Sequence, residues 1–466
     1  MITKINFFKP FFWKLLILPF LCMLISCASD DEKKAGYDPT KPSRLTSFYP
    51  NEGKFQEKVL LDGENFPTDH SLVKVYFNQR QAPVIGGTVN RMYVMAPRLP
   101  GHANGYPSPG AGKGVCEISV VIGNDSLVYT DTFLYEESIT VTTVAGNGNA
   151  DDFQEGDLAN AILQPRYICA DKDGNIFIAN WDQNDKNLFF CRLNEEENTF
   201  VRLQQTSVKT NIPCADPVTG VITVTNEATI GSFITCNPSE YWAPREREMK
   251  FTNGLPADNG WKHCMVVNPT DNCVYVRWYG GPIVRINQTT YEAYIIADSE
   301  QGDTYGLTFR PDEPNIMYMA YWGNGGRYAH SIVTVDVSAG KELEATNPAA
   351  AKAAVEATLK RVSSSSTGGG HRDGDLSMAQ FRDPSQIYCD AQGFIYVADS
   401  NNHCIRRITP ENQVETVLGV PGVSGWKDGT RDEALFSLPR GIAISLDGSV
   451  YVADLGNSRL RKLSVN

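Results

Sequence analysis

Aromatic side chains stand at the ends of three apolar segments, beside polar loop residues. They occur in the pairs Asn180 and Trp181, Trp278 and Tyr279, and Tyr321 and Trp322. A flat ring with a polar edge stacks against the C–H face of a sugar, while nearby polar groups bond the hydroxyls. The same rings could instead pack against neighbouring loops and stiffen them. These residues therefore indicate either a carbohydrate-binding surface or a structural cluster.

Arginine occupies one further position twice, directly after a proline that leads into an apolar segment. Arg166 follows Pro165, and Arg440 follows Pro439. A guanidinium at this position could bind the carboxylate of an acidic sugar, or form an ion pair inside the protein. The candidate ligand-binding residues are Trp181, Trp278, Tyr279, Tyr321, Trp322, Trp426, Arg166 and Arg440.

All of these residues belong to a unit that recurs between residues 138 and 466. Each copy has an apolar strand, a tight turn with Asp, Asn or Gly, a second apolar strand, a loop and a third strand with basic residues. The six copies begin at Pro165, Ile212, Lys262, Thr304, Asp383 and Leu438. Spacings of roughly 40–80 residues are typical of propeller blades that carry insertions.

The order of strands in a blade places the aromatic residues on one face. Successive strands are antiparallel, so the loop after the second strand lies on the same face as the loop to the next blade. The pairs that contain Trp181, Tyr279 and Trp322 fall in the first kind of loop. Trp261 and Trp426 fall in the second kind. We therefore expect one aromatic face.

The two ends of the repeat region complete each other. The last copy stops at "RLRKLSVN" and supplies only a third strand, while "ITVTTVAG" at 139–146 precedes the first copy. A strand from the start of the region would fill the last blade and cover its edge. The sequence predicts an all-β chain whose larger part is a six-bladed β-propeller closed by its N-terminal strand.

Two copies carry a recognisable signature. "FIYVADSNNHCIRRI" at 394–408 and "SVYVADLGNSRLRKL" at 449–463 resemble the NHL repeat family, while the middle copies follow only its pattern. The resemblance implies a propeller that binds protein partners on one face, or an enzyme of the lactonase or lyase type with a metal in its channel. The chain has only six His and no HxH, HExxH or GxSxG motif. We therefore assign no catalytic residue, metal ligand or cofactor.

Short alternating segments between residues 44 and 137 predict a β-sandwich. The phrases "SFYPNEG", "VLLDGENF" and "VKVYFN" resemble the IPT/TIG immunoglobulin-like family, whose members act as spacers or interaction modules. The nine Cys after residue 27 have no CxxC pair or zinc spacing. Cys169, Cys214 and Cys389 each lie in an apolar segment that leads into a turn, and we interpret these three as small core residues rather than disulfides or metal ligands.

The first 43 residues have the composition of a processing and anchoring segment. Residues 1–26 carry three Lys, no acid and an apolar run that ends in "LISC", which resembles a lipobox with Cys27 as the lipidated residue. An ordinary signal peptide with an incidental Cys is the alternative. Residues 27–43 form a polar tether, and its acidic cluster "DDE" resembles the surface-export signal of Bacteroidetes lipoproteins. We expect an outer-membrane lipoprotein, lipid-anchored and exposed at the cell surface.

The charge of the chain argues against one class of partner. The net charge is −12, and no basic run is present. Such a chain is a poor match for nucleic acid. The layout of anchor, spacer and aromatic propeller face resembles the surface glycan-binding lipoproteins of gut Bacteroidetes, which pass polysaccharide to an outer-membrane transporter. We therefore expect glycan binding on one propeller face, with a protein-binding scaffold or adhesin and a propeller enzyme as alternatives.

Overall fold

A computed structural model describes most of the chain from residue 36 onward. It covers residues 36–465 except 55, 79, 98–113, 136–138, 182–185, 205–208, 228, 257–260, 269, 300, 325, 365–367 and 446–447. The expected signal segment, Cys27 and most of the tether lie outside the described residues. Within those residues, no helix has the length and apolar character needed to cross a membrane.

The first part of the chain forms two β-sheets that face each other across one core. Its strands are β1 (Arg44–Tyr49), β2 (Glu52–Gly53), β3 (Lys58–Glu64), β4 (Val73–Phe77), β5 (Arg80–Ala82), β6 (Val84–Thr88), β7 (Arg91–Met95), β8 (Gly114–Ile122) and β9 (Asp125–Tyr135). One sheet has the order β1-β3-β7-β6, and the other has the order β2-β9-β8-β4-β5. This is the sandwich that the alternating sequence predicts.

Alternation of apolar and polar residues explains why these strands face each other. In β3 every second residue is buried, beginning with Val59, so the strand turns one side to the core. Phe66 is completely buried beside Gly63, where an added Cβ would lie 2.2 Å from the Phe66 ring. The "GENF" turn therefore needs glycine to admit this ring to the core.

The rest of the chain forms six antiparallel sheets that follow one another in sequence. An early strand, β10 (Ile139–Ala145), precedes them. Blade 1 contains β11 (Pro165–Ala170), β12 (Asn175–Asn180), β13 (Phe189–Asn194) and β14 (Thr199–Arg202). Blade 2 contains β15 (Cys214–Ala215), β16 (Ile222–Thr225), β17 (Ser232–Cys236) and β18 (Pro244–Glu248).

Blades 3 and 4 repeat this strand order, and blade 3 adds a short strand while blade 4 adds a helix. Blade 3 contains β19 (Lys250–Phe251), β20 (Lys262–Asn268), β21 (Cys273–Trp278), β22 (Pro282–Asn287) and β23 (Glu292–Asp298), and β19 runs parallel to β23. Blade 4 contains β24 (Thr304–Phe309), β25 (Ile316–Tyr321), β26 (Ser331–Asp336) and β27 (Lys360–Arg361). The helix α1 (Pro348–Glu356) precedes β27, and the Asn347 side chain caps its first turn.

Blades 5 and 6 each gain a short outer strand. Blade 5 contains β28 (Gly374–Asp375), β29 (Pro384–Cys389), β30 (Ile395–Asp399), β31 (Cys404–Ile408) and β32 (Gln413–Leu418). Blade 6 contains β33 (Gly429–Thr430), β34 (Pro439–Ile444), β35 (Val450–Asp454) and β36 (Arg459–Val465). Short 3₁₀ helices occupy His70–Leu72, Pro238–Glu240, Gly326–Tyr328, Lys341–Leu343, Ser400–Asn402 and Leu455–Asn457.

Strand β10 closes the ring as the fourth strand of blade 6, between β36 and the short outer strand β33. It pairs antiparallel with β36, with Val141 opposite Leu463 and Thr143 opposite Arg461. The start and the end of the propeller therefore share one sheet, which satisfies the edge of β36. The prediction of an all-β fold with a six-bladed propeller closed by its N-terminal strand is confirmed.

A buried ion pair holds each of the two blades that carry the repeat signature. Arg406 is completely buried in blade 5, and its guanidinium lies 2.9 Å from Asp399 Oδ2 and 2.5 Å from Asp373 Oδ1. Arg461 in blade 6 makes the matching contacts, at 2.9 Å with Asp454 and 2.6 Å with Asp428. The Asp and Arg that both signatures share are thus structural, because they tie the second and third strands to the preceding loop.

Candidate binding site at the channel mouth

The last residue of the second strand has the same role in four blades. Its side chain accepts a hydrogen bond from a backbone N–H of the inter-blade loop, at 2.7–2.8 Å. The acceptors and donors are Asn180 and Gln164, Thr225 and Asn211, Asp399 and Arg382, and Asp454 and Ser437. Blades 3 and 4 place Trp278 and Tyr321 at this position. In these two blades an aromatic core residue therefore replaces the polar side chain that accepts the hydrogen bond from the loop.

Trp278 and Tyr321 are both completely buried. Trp278 packs in the core with Met265 and Val276, and the Tyr321 ring lies 5.3 Å from the Tyr328 ring. Neither ring can stack on a ligand, so the prediction that these two residues bind one is wrong. Their packing role is the alternative that the sequence left open. Successive residues of a strand point to opposite sides, so the burial of these rings turns the following residues outward.

Trp181 and Arg166 form the first pair at the mouth of the central channel. The guanidinium carbon of Arg166 lies 3.9 Å from the centre of a Trp181 ring, and Lys209 Nζ lies 4.7 Å from that ring. The Trp181 indole N–H donates to the Thr210 carbonyl at 2.7 Å. Stacking and this hydrogen bond fix the half-buried indole at the entrance.

Trp322 and Arg440 form the second pair, from blades that are not neighbours. Arg440 of blade 6 stacks on Trp322 of blade 4 at 3.8 Å. Blade 5, between them, has the small buried residues Ser385 and Ser400 at the corresponding positions. Small residues on blade 5 leave room for the long side chains of its neighbours to meet in front of it.

Tyr305 lies at the centre of the mouth, and the sequence analysis did not single it out. Its ring stacks on Tyr167 at 5.7 Å and on His263 at 4.7 Å, and it lies 6.2 Å from Trp322. Arg440 is 5.9 Å above it. A usable signal was present, because Tyr305 is the second residue of its inner strand, as are Arg166, His263 and Arg440.

The channel is closed below this level. Tyr167 and Tyr305 come from blades 1 and 4, which are opposite each other in a ring of six. Gln386 of blade 5 also crosses to blade 1, where its amide accepts from Ile168 N at 3.1 Å and donates to Ile168 O at 2.5 Å. Gly441 lies beside this bridge, and an added Cβ would come within 3.0 Å of Gln386 Oε1. These contacts across the ring therefore fill the channel below the residues of the mouth.

Tyr279 extends the aromatic cluster toward blade 3. Its ring lies 5.7 Å from Trp261, which is 53% exposed, and 5.5 Å from His263. Tyr279 itself is half-buried. The rings of Trp261, Tyr279, His263 and Tyr305 thus form a continuous contact from the surface to the centre of the mouth.

His263 is neutral in this setting. Burial, followed by the nearby Arg277 and Arg166, lowers the pKa of His263 to about 3. Its Nδ1 accepts a hydrogen bond from Thr304 N at 3.2 Å, and its Nε2 lies 3.7 Å from Asp303 Oδ1. The imidazole is therefore an uncharged part of the aromatic cluster near neutral pH.

Two carboxylates border the mouth. Asp303 lies 3.3 Å from the Tyr305 hydroxyl and 3.3 Å from the Asn324 amide nitrogen. Glu227 lies 3.7 Å from Lys209 Nζ, and burial raises the pKa of Glu227 against the opposing effects of Lys209 and Asn211. Both acids already have polar or cationic partners within the protein.

Trp426 lies away from this cluster. It is 53% exposed, stacks on Arg459 at 3.8 Å and donates to Thr143 Oγ1 at 3.2 Å, on the outer strand β10. Of the predicted ligand-binding residues, the structure brings together Arg166, Trp181, Tyr279, Trp322 and Arg440. It separates Trp426 from them and buries Trp278 and Tyr321.

The described residues contain no group of three or more His, Cys, Asp or Glu side chains placed to hold a metal ion. The nine described cysteines are free thiols, and most of them are buried. Burial raises the pKa of Cys214 to about 12 and that of Cys236 to about 12, so these thiols are protonated at neutral pH. The burial of Cys169 and Cys214 agrees with their interpretation as small core residues, while Cys389 is partly buried.

Family models match two parts of the chain. The IPT/TIG domain matches residues 43–135, and the NHL repeat matches residues 381–408 and 436–463. Among curated proteins, SUPPRESSOR OF QUENCHING 1, chloroplastic, from Arabidopsis thaliana is 35% identical over 97 residues, which are 21% of this chain and 9% of that protein. Mouse NHL repeat-containing protein 3 is 23% identical over 224 residues, or 47% of this chain and 58% of that protein. The chain matches less than two thirds of the length of either relative.

Solved structures match both domains together. A protein of unknown function from Bacteroides thetaiotaomicron has a TM-score of 0.69 and 23% identity, over 93% of this chain and 100% of that chain. An auxiliary nutrient binding protein from Bacteroides ovatus has a TM-score of 0.59 and 19% identity, over 93% and 100%. A second, from B. thetaiotaomicron, has a TM-score of 0.55 and 20% identity, over 92% and 99%. The chain therefore carries an IPT/TIG domain followed by an NHL β-propeller, a fold shared with these Bacteroides proteins.

Proposed function

We propose that the channel mouth binds carbohydrate. One observation carries this proposal. Trp181, Tyr279 and Trp322 are all half-buried at the channel mouth, and charged groups lie at their edges. Aromatic faces accept the C–H side of a sugar ring, while arginine and carboxylate groups bond its hydroxyls.

The shared fold supports a binding role rather than identifying the ligand. Two structures with the same pair of domains are named auxiliary nutrient binding proteins of Bacteroides. We propose that this chain likewise captures a nutrient glycan at the cell surface, with the IPT/TIG domain as a spacer and an outer-membrane transporter as partner. Acylation of Cys27 would anchor it to the outer membrane.

The binding proposal is tested with the purified chain from Asp30 onward, which contains every described strand. Affinity electrophoresis and calorimetry against a panel of neutral and acidic polysaccharides should show retardation by one class, with the polymer left intact. Shortening of the polymer would instead identify an enzyme. Absence of interaction across the panel would favour the protein-binding alternative on the same face.

Single substitutions locate the site. Trp181→Ala and Trp322→Ala should each weaken binding at least about fivefold, since one stacked aromatic ring contributes on the order of 1–3 kcal/mol. Trp426→Ala is the matched control, because this tryptophan also stacks on an arginine but lies outside the mouth. Equal losses in all three variants would contradict a site at the mouth.

The anchor is tested separately from the ligand. Replacement Cys27→Ser in the full chain should move the protein from the outer-membrane fraction to the soluble fraction. Protease added to intact cells should digest the wild-type protein if the propeller faces outward. Membrane association that survives Cys27→Ser would contradict the lipid anchor.

A further inference from the structure

Two arginines at the mouth hold nitrogen donors that the protein does not use. Nε of Arg166 and Nε of Arg440 are buried and have no hydrogen-bond partner. Among the described residues neither guanidinium makes a close ion pair with a carboxylate, although Tyr167 and, more weakly, Glu227 attract that of Arg166. Buried donors in folded proteins are nearly always paired. Unpaired donors at the entrance of a binding site indicate where a ligand supplies the acceptor.

A third arginine shows that stacking on tryptophan does not by itself leave donors unused. Arg459 lies 3.8 Å from the centre of a Trp426 ring, the same distance as Arg440 from Trp322. Both of its terminal nitrogens donate to backbone carbonyls, at 2.8 Å to Asn457 and 2.9 Å to Asn147. Both terminal nitrogens of the outer arginine are thus satisfied by backbone carbonyls, whereas Nε of each mouth arginine is buried without an acceptor.

The charges at the mouth favour an anionic ligand over a neutral one. Arg166, Arg440 and Lys209 contribute positive charge, and the nearby carboxylates are those of Asp303, Glu227 and Asp383, of which Asp383 is engaged by His330 and by Gly323 N. Glu227 is engaged by Lys209 and by the Asn211 amide, while Asp303 is engaged by Tyr305 and Asn324. A chain with a net charge of −12 thus presents a local excess of cationic donors here. A guanidinium fixed flat on an indole turns its N–H edge toward an incoming group.

We propose that the mouth recognises a sugar that bears a carboxylate, such as a uronic or sialic acid. This inference rests on the proposed function of the mouth as a carbohydrate site and names the chemistry of its ligand. The sugar ring stacks beside Trp322 or Trp181, and its carboxylate accepts hydrogen bonds from the adjacent arginine. The bridge between Gln386 and Ile168 closes the channel below. An acidic sugar therefore enters as the end of a chain or branch.

The test compares acidic sugars with their neutral counterparts. Oligosaccharides that end in glucuronate, galacturonate or sialic acid are titrated into the chain from Asp30 onward, each beside its carboxyl-reduced form. The acidic form should bind about tenfold to hundredfold more tightly, the range of a charge-assisted hydrogen bond. Arg440→Gln, and likewise Arg166→Gln, should lower this preference, because each weakens binding of the acidic form more than binding of the reduced form. Arg459→Gln is the matched control and should keep the preference.

The outcomes separate this inference from the function on which it rests. Equal affinity for acidic and reduced forms, with binding lost in Trp322→Ala, would overturn carboxylate recognition and leave the carbohydrate site in place. A preference for the acid that persists in Arg166→Gln/Arg440→Gln would overturn it as well. If no member of the panel binds, acidic or neutral, both proposals fail together. Unchanged midpoints of thermal unfolding show that the variants remain folded.

Discussion

Blades 5 and 6 differ from blades 3 and 4 at one repeat position, the last residue of the second strand. In blades 5 and 6 it is Asp399 or Asp454, each buried, paired with arginine and bonded to the preceding loop. In blades 3 and 4 it is a buried aromatic ring that packs in the core. The residue that follows is small or aliphatic in the first two blades, and aromatic in the other two.

This difference divides the propeller into two parts. Blades 5 and 6 form a regular structural frame, and blades 3 and 4 carry aromatic rings to the candidate binding site. The regular blades use the repeat position to secure their own loops, and the residues that follow it, Ser400 and Leu455, bring no ring to the mouth; blade 6 contributes Arg440 from its inner strand instead. The irregular blades secure the same position by hydrophobic packing, and the adjacent residue carries Tyr279 or Trp322 into the mouth. Blade 1 combines both, since Asn180 caps the loop and Trp181 enters the mouth.

The largest effect should come from breaking a buried ion pair in the frame. Asp399→Ala removes the buried partner of Arg406 and leaves only the half-exposed Asp373 to balance its charge, and removing one member of a buried pair costs about 3–5 kcal/mol. Denaturant unfolding should show this loss in the free energy of unfolding, while the residual folded protein keeps its affinity for glycan. A loss below about 1 kcal/mol would mean that the ion pair does not stabilise the blade.

The second-largest loss of stability should come from replacing the aromatic residue at the same repeat position in blade 3. Trp278→Ala removes a completely buried indole from the core, and such truncations cost about 3–5 kcal/mol. The neighbouring Tyr279→Ala should cost less than about 1 kcal/mol and should instead weaken binding, because this ring is half-buried at the mouth. Thermal and denaturant unfolding of the two variants compare core and mouth one residue apart. Equal losses of stability in the two variants would show that Trp278 and Tyr279 do not differ in their contribution to the core.

A smaller effect follows from the neutral histidine at the mouth. The pKa of His263 in the folded protein, about 3, lies below its ordinary value of 6.5. The unfolded chain therefore binds a proton that the folded protein does not, and this residue's contribution to stability is lost as the pH falls from about 6.5 toward 3. The free energy of unfolding should fall by up to about 1.4 kcal/mol per pH unit through this group.

The matched variant His263→Asn isolates that effect from the buried acids. Burial raises the pKa of Asp399 to about 6 and that of Asp454 to about 6, and these groups act with the opposite sign. Asparagine keeps an oxygen able to accept from Thr304 N but does not titrate. The difference in unfolding free energy between wild type and variant should shrink as the pH falls from 6.5 to 4.5. A constant difference would show that His263 is protonated alike in both states.

The sequence predicts the frame better than the site, and for a physical reason. Strand alternation, turn residues and the matching ends of the repeat are local signals, and they define six blades and their closure. The direction of Trp278 relative to Tyr279 depends on where the strand ends, and a shift of one residue reverses core and surface. Contacts across the ring, such as Tyr167 with Tyr305 and Gln386 with Ile168, join distant parts of the chain and have no local signature.

Two tryptophan–arginine pairs give the smallest and most selective comparison. Trp322→Ala and Trp426→Ala each remove an indole from an arginine 3.8 Å away, so each should cost only about 0.5–1 kcal/mol of stability. Their effects on glycan affinity should differ, because only Trp322 lies beside Tyr305 in the mouth. Parallel calorimetry and thermal unfolding check both quantities on the same samples. If Trp426→Ala weakened binding as much as Trp322→Ala, the ligand would extend over the outer part of blade 6, and the boundary between frame and site would have to move outward.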